Sequence, residues 1–241
     1  MTKFIAIASG KGGVGKTTTA LNLGTALSNF GKDVVVVDAN LSTPHISLHL
    51  GSPKLRVTLN DSLKGIVNIK DTAYLHPSGV RIIPSSIALE EHDKITHEAL
   101  QETLIGLTGA TELVLIDTAA GIGEEAKAGI KAADEIIAIV TPDMPSVAEA
   151  MKTIRLAEEH GVKVIGVVVN RHRGDKFEVS KSSIEALLDK PVIGIIPEDN
   201  SVLRSLALKH PVVYTHPDSE AAIGFKSLAA KLMGQNYRHS L

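Results

Sequence analysis

Residues 4–18 read FIAIASGKGGVGKTT: a short apolar run, a loop with four glycines and a lysine-threonine pair. Gly10, Gly15, Lys16 and Thr17 satisfy the pattern G-x-x-x-x-G-K-[ST]. Glycines let the backbone turn so tightly that successive N–H groups point at phosphate oxygens, and the following helix faces the same anion with its positive end. The spacing predicts a strand ending near Ala8 and a helix opening near Lys16. It also predicts that Lys16 reaches the β- and γ-phosphates while the Thr17 hydroxyl binds Mg²⁺.

Further runs carry the fold outward from this loop. Val34–Asp38, Val80–Pro84, Leu113–Asp117, Glu135–Thr141, Val162–Asn170, Val192–Ile196 and Val212–Tyr214 join Phe4–Ala8 as eight predicted strands. Most are continuous rather than alternating, the mark of strands buried on both faces of a parallel sheet. Between them, helical periodicity runs from Lys16 through Ala20, Leu23, Leu27 and Phe30, and again over 95–107, 124–133, 146–160, 179–188 and 219–233. The expectation is a three-layer α/β/α P-loop fold with a mostly parallel twisted sheet of about eight strands, formed by 1–241 as one domain with a short tail at 234–241.

Composition narrows the classes. The 241 residues are 44% apolar and only 3% aromatic, so the core must be built from Val, Ile, Leu and Ala. There is no cysteine, which excludes a disulfide scaffold, a thiol nucleophile and an iron–sulfur cluster held by this chain. The net charge of −2 gives no bulk attraction to nucleic acid or anionic lipid. No run reaches the ~18 apolar residues of a membrane span, and the opening residues make no signal sequence, so a cytoplasmic protein is expected.

The strings GKGGVGKTT, VVVDA, LIDTAAG, VVNRH and IPED stand in the order and spacing of the deviant Walker-A ATPases, and essentially the whole chain resembles that MinD/ParA group, most of all its archaeal MinD-like, septum-site-determining branch. The resemblance implies ATP and Mg²⁺ as cofactors. It implies a homodimer with ATP sandwiched at the interface, in which Lys11 crosses to the partner's phosphates. Gly10, Lys11, Gly12, Gly13, Val14, Gly15, Lys16, Thr17 and Thr18 would then hold phosphate. Asp38 and Asp117, at strand ends beside the loop, would support the metal with Thr17. Asn170 would read the adenine edge, with Arg171 beside it, and Pro197, Glu198 and Asp199 would form the loop against the ring. Capping is the alternative for each Asp, a turn for Asn170 and an ordinary helix start for the IPED string.

Two departures from the family pattern stand out. Ala119 replaces a proline in the turn after Asp117, and Asn40 replaces the second carboxylate of D-x-D. Asparagine exchanges hydrogen bonds but takes no proton, so with Lys11 and Lys16 it makes a catalytic set expected to hydrolyse ATP slowly. Asn40 fits either a slow natural switch or a change made to trap ATP. Asp143 and Glu149, after the fifth strand, face a partner in the family or are solvated helix-start charges. His45 and His49 share a helical spacing but lack a third ligand. Arg171, His172, Arg173 and Lys176 make a small basic cluster. The tail GQNYRHSL is too poor in charge and apolar area to act as an autonomous membrane-targeting helix.

The function expected is an ATP-dependent dimerising switch in spatial regulation, placing a division site or a cargo through an unidentified regulatory or cargo protein. The alternatives are a ParA-like partition ATPase with DNA as partner, possible but less favoured, and a nucleotide-binding interaction protein with little hydrolysis.

Overall fold

The computed structural model describes residues 1–51, 55–87 and 99–237. Eight strands are present among them: β1 (Lys3–Ala8), β2 (Val34–Ala39), β3 (Tyr74–Leu75), β4 (Arg81–Ile83), β5 (Leu113–Thr118), β6 (Glu135–Val140), β7 (Lys163–His172) and β8 (Val192–Pro197). They form one sheet in the order β3-β4-β2-β5-β1-β6-β7-β8. Every pairing is parallel except β3 with β4 at the edge.

The helices are α1 (Lys16–Asn29), α2 (Ile46–His49), α3 (Leu59–Leu63), α4 (Ala99–Ile105), α5 (Glu124–Lys131), α6 (Met144–Glu159), α7 (Lys181–Leu188), α8 (Asn200–Ala207), α9 (Val212–Thr215) and α10 (Glu220–Leu232), with a 3₁₀ turn at Ile69–Thr72. The apolar strands feed cores on both faces. On one, Leu23 and Leu27 of α1 and Phe225 and Leu228 of α10 pack on Val36, Leu115 and Val168. On the other, Leu100 and Leu104 of α4 and Ile130 of α5 pack on Val35, Val114 and Ile116, and Ile154 of α6 packs with Val167. Phe225 and Leu228 thus face the core.

One predicted strand is corrected. Val212–Tyr214 is the short helix α9, not a strand. Pro211 caps it, with φ −63°, and its carbonyl accepts from both Tyr214 and Thr215 N–H. Asn22 Oδ1 takes the Val213 N–H at 3.0 Å, so this backbone spends its hydrogen bonds on a turn and on α1 instead of a ladder. The eighth strand is the two-residue β3, too short to give a periodic signal. The helix expected over 95–107 is described from Ala99 to Ile105, and 95–98 lie outside the described residues.

Candidate nucleotide site

The C-terminal ends of β1, β2 and β5 converge. β5 lies between the other two, and the ladder pairs Asp38 with Asp117 while Ile7 also pairs with Asp117. The two carboxylates expected around a metal therefore come from adjacent strands at the same level, next to the loop that leaves β1.

That loop is shaped by its glycines at two points. Gly15 has φ +95° and ψ 30° and caps α1 with no side chain; a Cβ there would lie 2.2 Å from Asn170 Nδ2. At Gly10 a Cβ would lie 2.2 Å from the Glu149 carbonyl oxygen of α6. Loop and α6 thus touch backbone to side, which only glycine permits. The first turn of α1 receives no side-chain cap, and its first N–H groups are left for an anion.

Lys16 is buried and donates to Ser9 Oγ at 3.0 Å. Burial lowers its pKa, with Asp117 pulling the other way. Thr17 Oγ1 donates to Asp117 Oδ2 at 2.6 Å, while Asp117 Oδ1 is buried with no hydrogen-bond partner. Burial pushes the Asp117 carboxyl up to about 6, eased by the Thr17 bond and by Lys16. Asp38 is fully buried; burial and the Asp117 charge raise its pKa well above the usual range against the opposing pull of three main-chain amides. Those amides belong to Ile46, His45 and Asn40, at 2.9, 3.1 and 3.3 Å. Asp38 therefore both faces Asp117 and anchors the start of α2.

An orphaned carboxylate oxygen, a hydroxyl and a second buried carboxylate are hard oxygen donors of the kind Mg²⁺ takes, so these residues fit the ion. The pair is poorly compensated by protein alone, and a cation between them would relieve the charge repulsion.

Other expected residues fall less simply. Asn40 is tied into its own loop: Nδ2 donates to the Thr43 carbonyl at 2.7 Å and Oδ1 accepts from Thr43 Oγ1 at 3.0 Å. The Asn170 Nδ2 donates to the Val14 carbonyl at 2.7 Å, so this amide braces the phosphate loop from β7. Asn22 Nδ2 of α1 donates to the Thr18 carbonyl at 2.8 Å. Asp199 caps α8 through Ser201 N–H and also accepts from Ala221 N–H of α10. Burial would raise its pKa, but those bonds outweigh it and hold it low. Both its oxygens are thus committed to helix starts, as the alternative reading had it. Pro197 ends β8, and Glu198 N–H reaches the His172 carbonyl at 2.9 Å.

Beyond the loop lies a cavity of about 650 Å³ lined by Lys11, Gly12, Gly13, Val14, Asp143, Arg171, Phe177 and Glu198 among others. Arg171 has φ +58°, unusual for a non-glycine residue. Lys11 is half-exposed, and its ammonium sits 3.2 Å from Asp143 Oδ1. Asp143 also caps α6 by accepting from Ser146 N–H at 2.9 Å. Burial alone would raise the Asp143 pKa, but bonds from Thr141, Ser146 and Lys11 bring it below the usual carboxylate range. Glu149 pairs with Lys152 on the surface of α6. His172 and Arg173 of the basic cluster are both held by Glu178, and Lys176 lies over Phe177. His45 caps α2 and His49 ends it.

Two contributors escaped the sequence reading. Ser9, inside the quoted loop but outside its pattern, holds Lys16. Glu125, in the first turn of α5, accepts from both the N–H and the hydroxyl of Ser42, at 2.8 and 2.7 Å, and so clasps the Asn40 loop to the segment after Asp117. Only a structure could reveal that pairing, since 83 residues separate the two.

Comparison with known proteins places this geometry. Residues 5–212 match the CobQ/CobB/MinD/ParA nucleotide binding domain family. An uncharacterized ATP-binding protein of Methanocaldococcus jannaschii is 42% identical over 237 residues, covering 98% of this chain and 90% of that one. The cell division ATPase MinD of Pyrococcus furiosus superposes with a TM-score of 0.93 at 30% identity, over 97% of this chain and 99% of that one. The septum site-determining protein MinD of Pyrococcus horikoshii, complexed with Mg-ADP, gives 0.92 at 30% identity, over 96% of each. The chain belongs to the MinD/ParA nucleotide-binding family of P-loop ATPases, whose cofactors are ATP and Mg²⁺.

Proposed function

From that membership we propose an ATP-switched regulator: Mg·ATP joins two copies face to face, the dimer engages a partner protein, and slow hydrolysis releases it. The division-site role of the archaeal MinD relatives makes spatial placement of a division site or cargo the process we favour.

The observation that carries this reading is the division of labour between the two loop lysines. Lys16 is buried and donates to Ser9 within its own loop, whereas Lys11 stands half-exposed on the rim, held by Asp143. A lysine on the rim can leave that pair to reach a phosphate across an interface. An exposed pair of this kind is worth only about 0.2–1 kcal/mol, so a phosphate outcompetes it. Lys16 and the loop amides would hold the β- and γ-phosphates, and Thr17, Asp38 and Asp117 would hold Mg²⁺, which supplies charge neutralisation on the phosphate oxygens. Asn170, Arg171, Pro197 and Glu198 would wall the adenine end, with Asp199 acting through the loop's backbone. Water attacks the γ-phosphorus and the bond to the β-bridging oxygen breaks, leaving ADP and phosphate. Asn40, engaged by Thr43 and unable to take a proton, accounts for a slow step.

Molar mass in solution tests the reading, measured with Mg·ATP, with Mg·ADP and without nucleotide, for the chain and for Lys11→Ala. A dimer that forms only with ATP and only with Lys11 is expected. A mass indifferent to nucleotide would remove the switch and leave a nucleotide-binding domain.

A further inference from the structure

A circuit of hydrogen bonds runs round the metal side of the site, and one of its links, Glu125, belongs to neither the phosphate set nor the metal set. Ser9 closes the circuit at the phosphate loop: its hydroxyl holds Lys16, and its carbonyl accepts the Gly121 N–H at 2.9 Å. From Gly121, at φ +88°, the turn after Asp117 runs into α5, whose first turn carries Glu125. Glu125 grips Ser42, and the 40–45 segment returns to Asp38, which accepts the N–H groups of Asn40, His45 and Ile46.

The links are not equally firm. At one end the segment is anchored on the fully buried Asp38 carboxylate, and Leu41 packs into the core beside it. Ser42 and Glu125 meet at the surface. The turn after Asp117 has Ala119 where a proline would constrain the backbone, so its course depends on contacts such as Gly121 with Ser9.

Within the segment, Asn40 does not move alone. Its amide is closed on Thr43 at both ends, by Nδ2 to the carbonyl and by Oδ1 from the hydroxyl, and Nδ2 also lies 3.3 Å from His45 Nδ1. Asn40, Ser42 and Thr43 therefore shift as one piece, and whatever holds Ser42 sets where Asn40 stands relative to the phosphate loop. Glu125 holds it twice, Oε1 on the N–H and Oε2 on the hydroxyl. A carboxylate engaged through both oxygens fixes direction as well as distance.

We propose that Glu125 is a positioning residue for ATP hydrolysis: by clasping Ser42 it fixes the Asn40 segment against the turn after Asp117, and so sets where Asn40 meets the attacking water. The proposal rests on the role given above to Asn40 and adds the residue that places it. Phosphoryl transfer depends mainly on positioning, and a displacement of about 1 Å costs up to about a hundredfold. Without the clasp the segment drifts but stays attached to Asp38. The loss should therefore fall on kcat and leave KM nearly unchanged.

The test is steady-state phosphate release by the full chain and its variants, with KM for ATP and melting temperature measured on the same samples. Glu125→Ala is expected to lower kcat about five- to tenfold while KM stays within about twofold. Glu125→Gln is the conservative variant: its carbonyl takes the Ser42 N–H and its amide meets the hydroxyl, so at least about half of the wild-type kcat should return. Ser42→Ala removes one of the two bonds and should fall between them; added to Glu125→Ala, it should cost nothing further. Equal kcat for the wild type and Glu125→Ala overturns the proposal. So does a glutamine variant as slow as the alanine one, which would make the charge and not the clasp the cause, and so do additive losses in the double variant. The clasp lies within one chain, so its fate is separable from that of the dimer. A wild type that stays monomeric with Mg·ATP removes the switch, while the kcat ratio still decides the clasp; a wild type that releases no phosphate overturns the clasp whatever its mass.

Discussion

Replacing Asp117 by asparagine should stabilise the nucleotide-free chain while making it blind to Mg·ATP. Asp117 is 1% exposed, one of its oxygens has no partner, and Asp38 stands beside it on β2. Burial lifts its pKa to about 6 from the ordinary 3.8, despite help from Thr17 and Lys16. At roughly 1.4 kcal/mol per pH unit, keeping it ionised at pH 8 costs about 3 kcal/mol. Asparagine keeps an oxygen for the Thr17 hydroxyl and removes the charge that also burdens Asp38. For a chain of this size, 3 kcal/mol corresponds to a rise of about 6–12 °C in melting temperature. The pH dependence gives the sign: a pKa raised on folding makes the wild-type carboxyl most costly above 6, and the cost fades as the group protonates toward 3.8. The gap between variant and wild type should therefore be widest at pH 8 and nearly closed at pH 4. Calorimetry across that range measures it. Mg·ATP at about a hundred times its Kd should add about 2.7 kcal/mol to the wild type and much less to the variant. A variant that melts at or below the wild type at pH 8, or a gap that ignores pH, would refute the assignment of a strained carboxylate pair awaiting a cation.

Gly15→Ala should destabilise the chain by about 1–3 kcal/mol in urea titrations, because its φ of +95° and the 2.2 Å approach to Asn170 admit no side chain. An unchanged midpoint would mean the loop relaxes freely. Asn40→Asp should raise the steady-state rate of phosphate release several-fold, and equal rates would remove the role given to Asn40. Asp143→Asn retains an α6 cap but weakens the hold on Lys11; the ATP concentration for half-maximal dimerisation should fall by up to about fivefold, the worth of an exposed ion pair. A rise instead would make Asp143 a contributor to the dimer. His49, mainly through burial, and His76 titrate near 4 in the folded chain against an ordinary 6.5. Their contribution to stability is thus full above pH 6.5 and lost as pH falls toward 4, and ring-proton NMR midpoints near 6.5 would refute it.

Periodic features were legible in the sequence, and those set by three-dimensional satisfaction of single groups were not. The phosphate loop follows from its glycine, lysine and threonine spacing, the parallel core strands from continuous apolar runs, and the helices α1, α5, α6, α7 and α10 from apolar periodicity. Val212–Tyr214 was misread because two valines and a tyrosine suit a strand in isolation, while Pro211 and Asn22 decide otherwise from outside the run. The short α2 and α3 are too brief to carry a period. α2 is nucleated by Asp38, which lends its carboxylate to two amides from the end of β2, and α3 by a Thr58–Asp61 capping box. Asp38 is visible as an acidic residue at a strand end; its second task as a helix anchor is not, because that depends on where the chain returns.

The same dependence explains the arrangement of the site. In a parallel sheet, residues that end neighbouring strands lie side by side only if the register allows it, and here the β2–β5 ladder sets Asp38 against Asp117. Two buried carboxylates at that level are a liability for folding and an asset for holding a cation, since what the protein leaves uncompensated a ligand can compensate. Lys11 sits at the opposite extreme: exposed, cheaply paired and easily released. A chain built merely to bind nucleotide could compensate both sets of charges internally. On the proposed switch, leaving one set strained in the core and the other loosely held at the rim would let binding energy be drawn on twice, first to close the site and then to bring Lys11 out to a second copy.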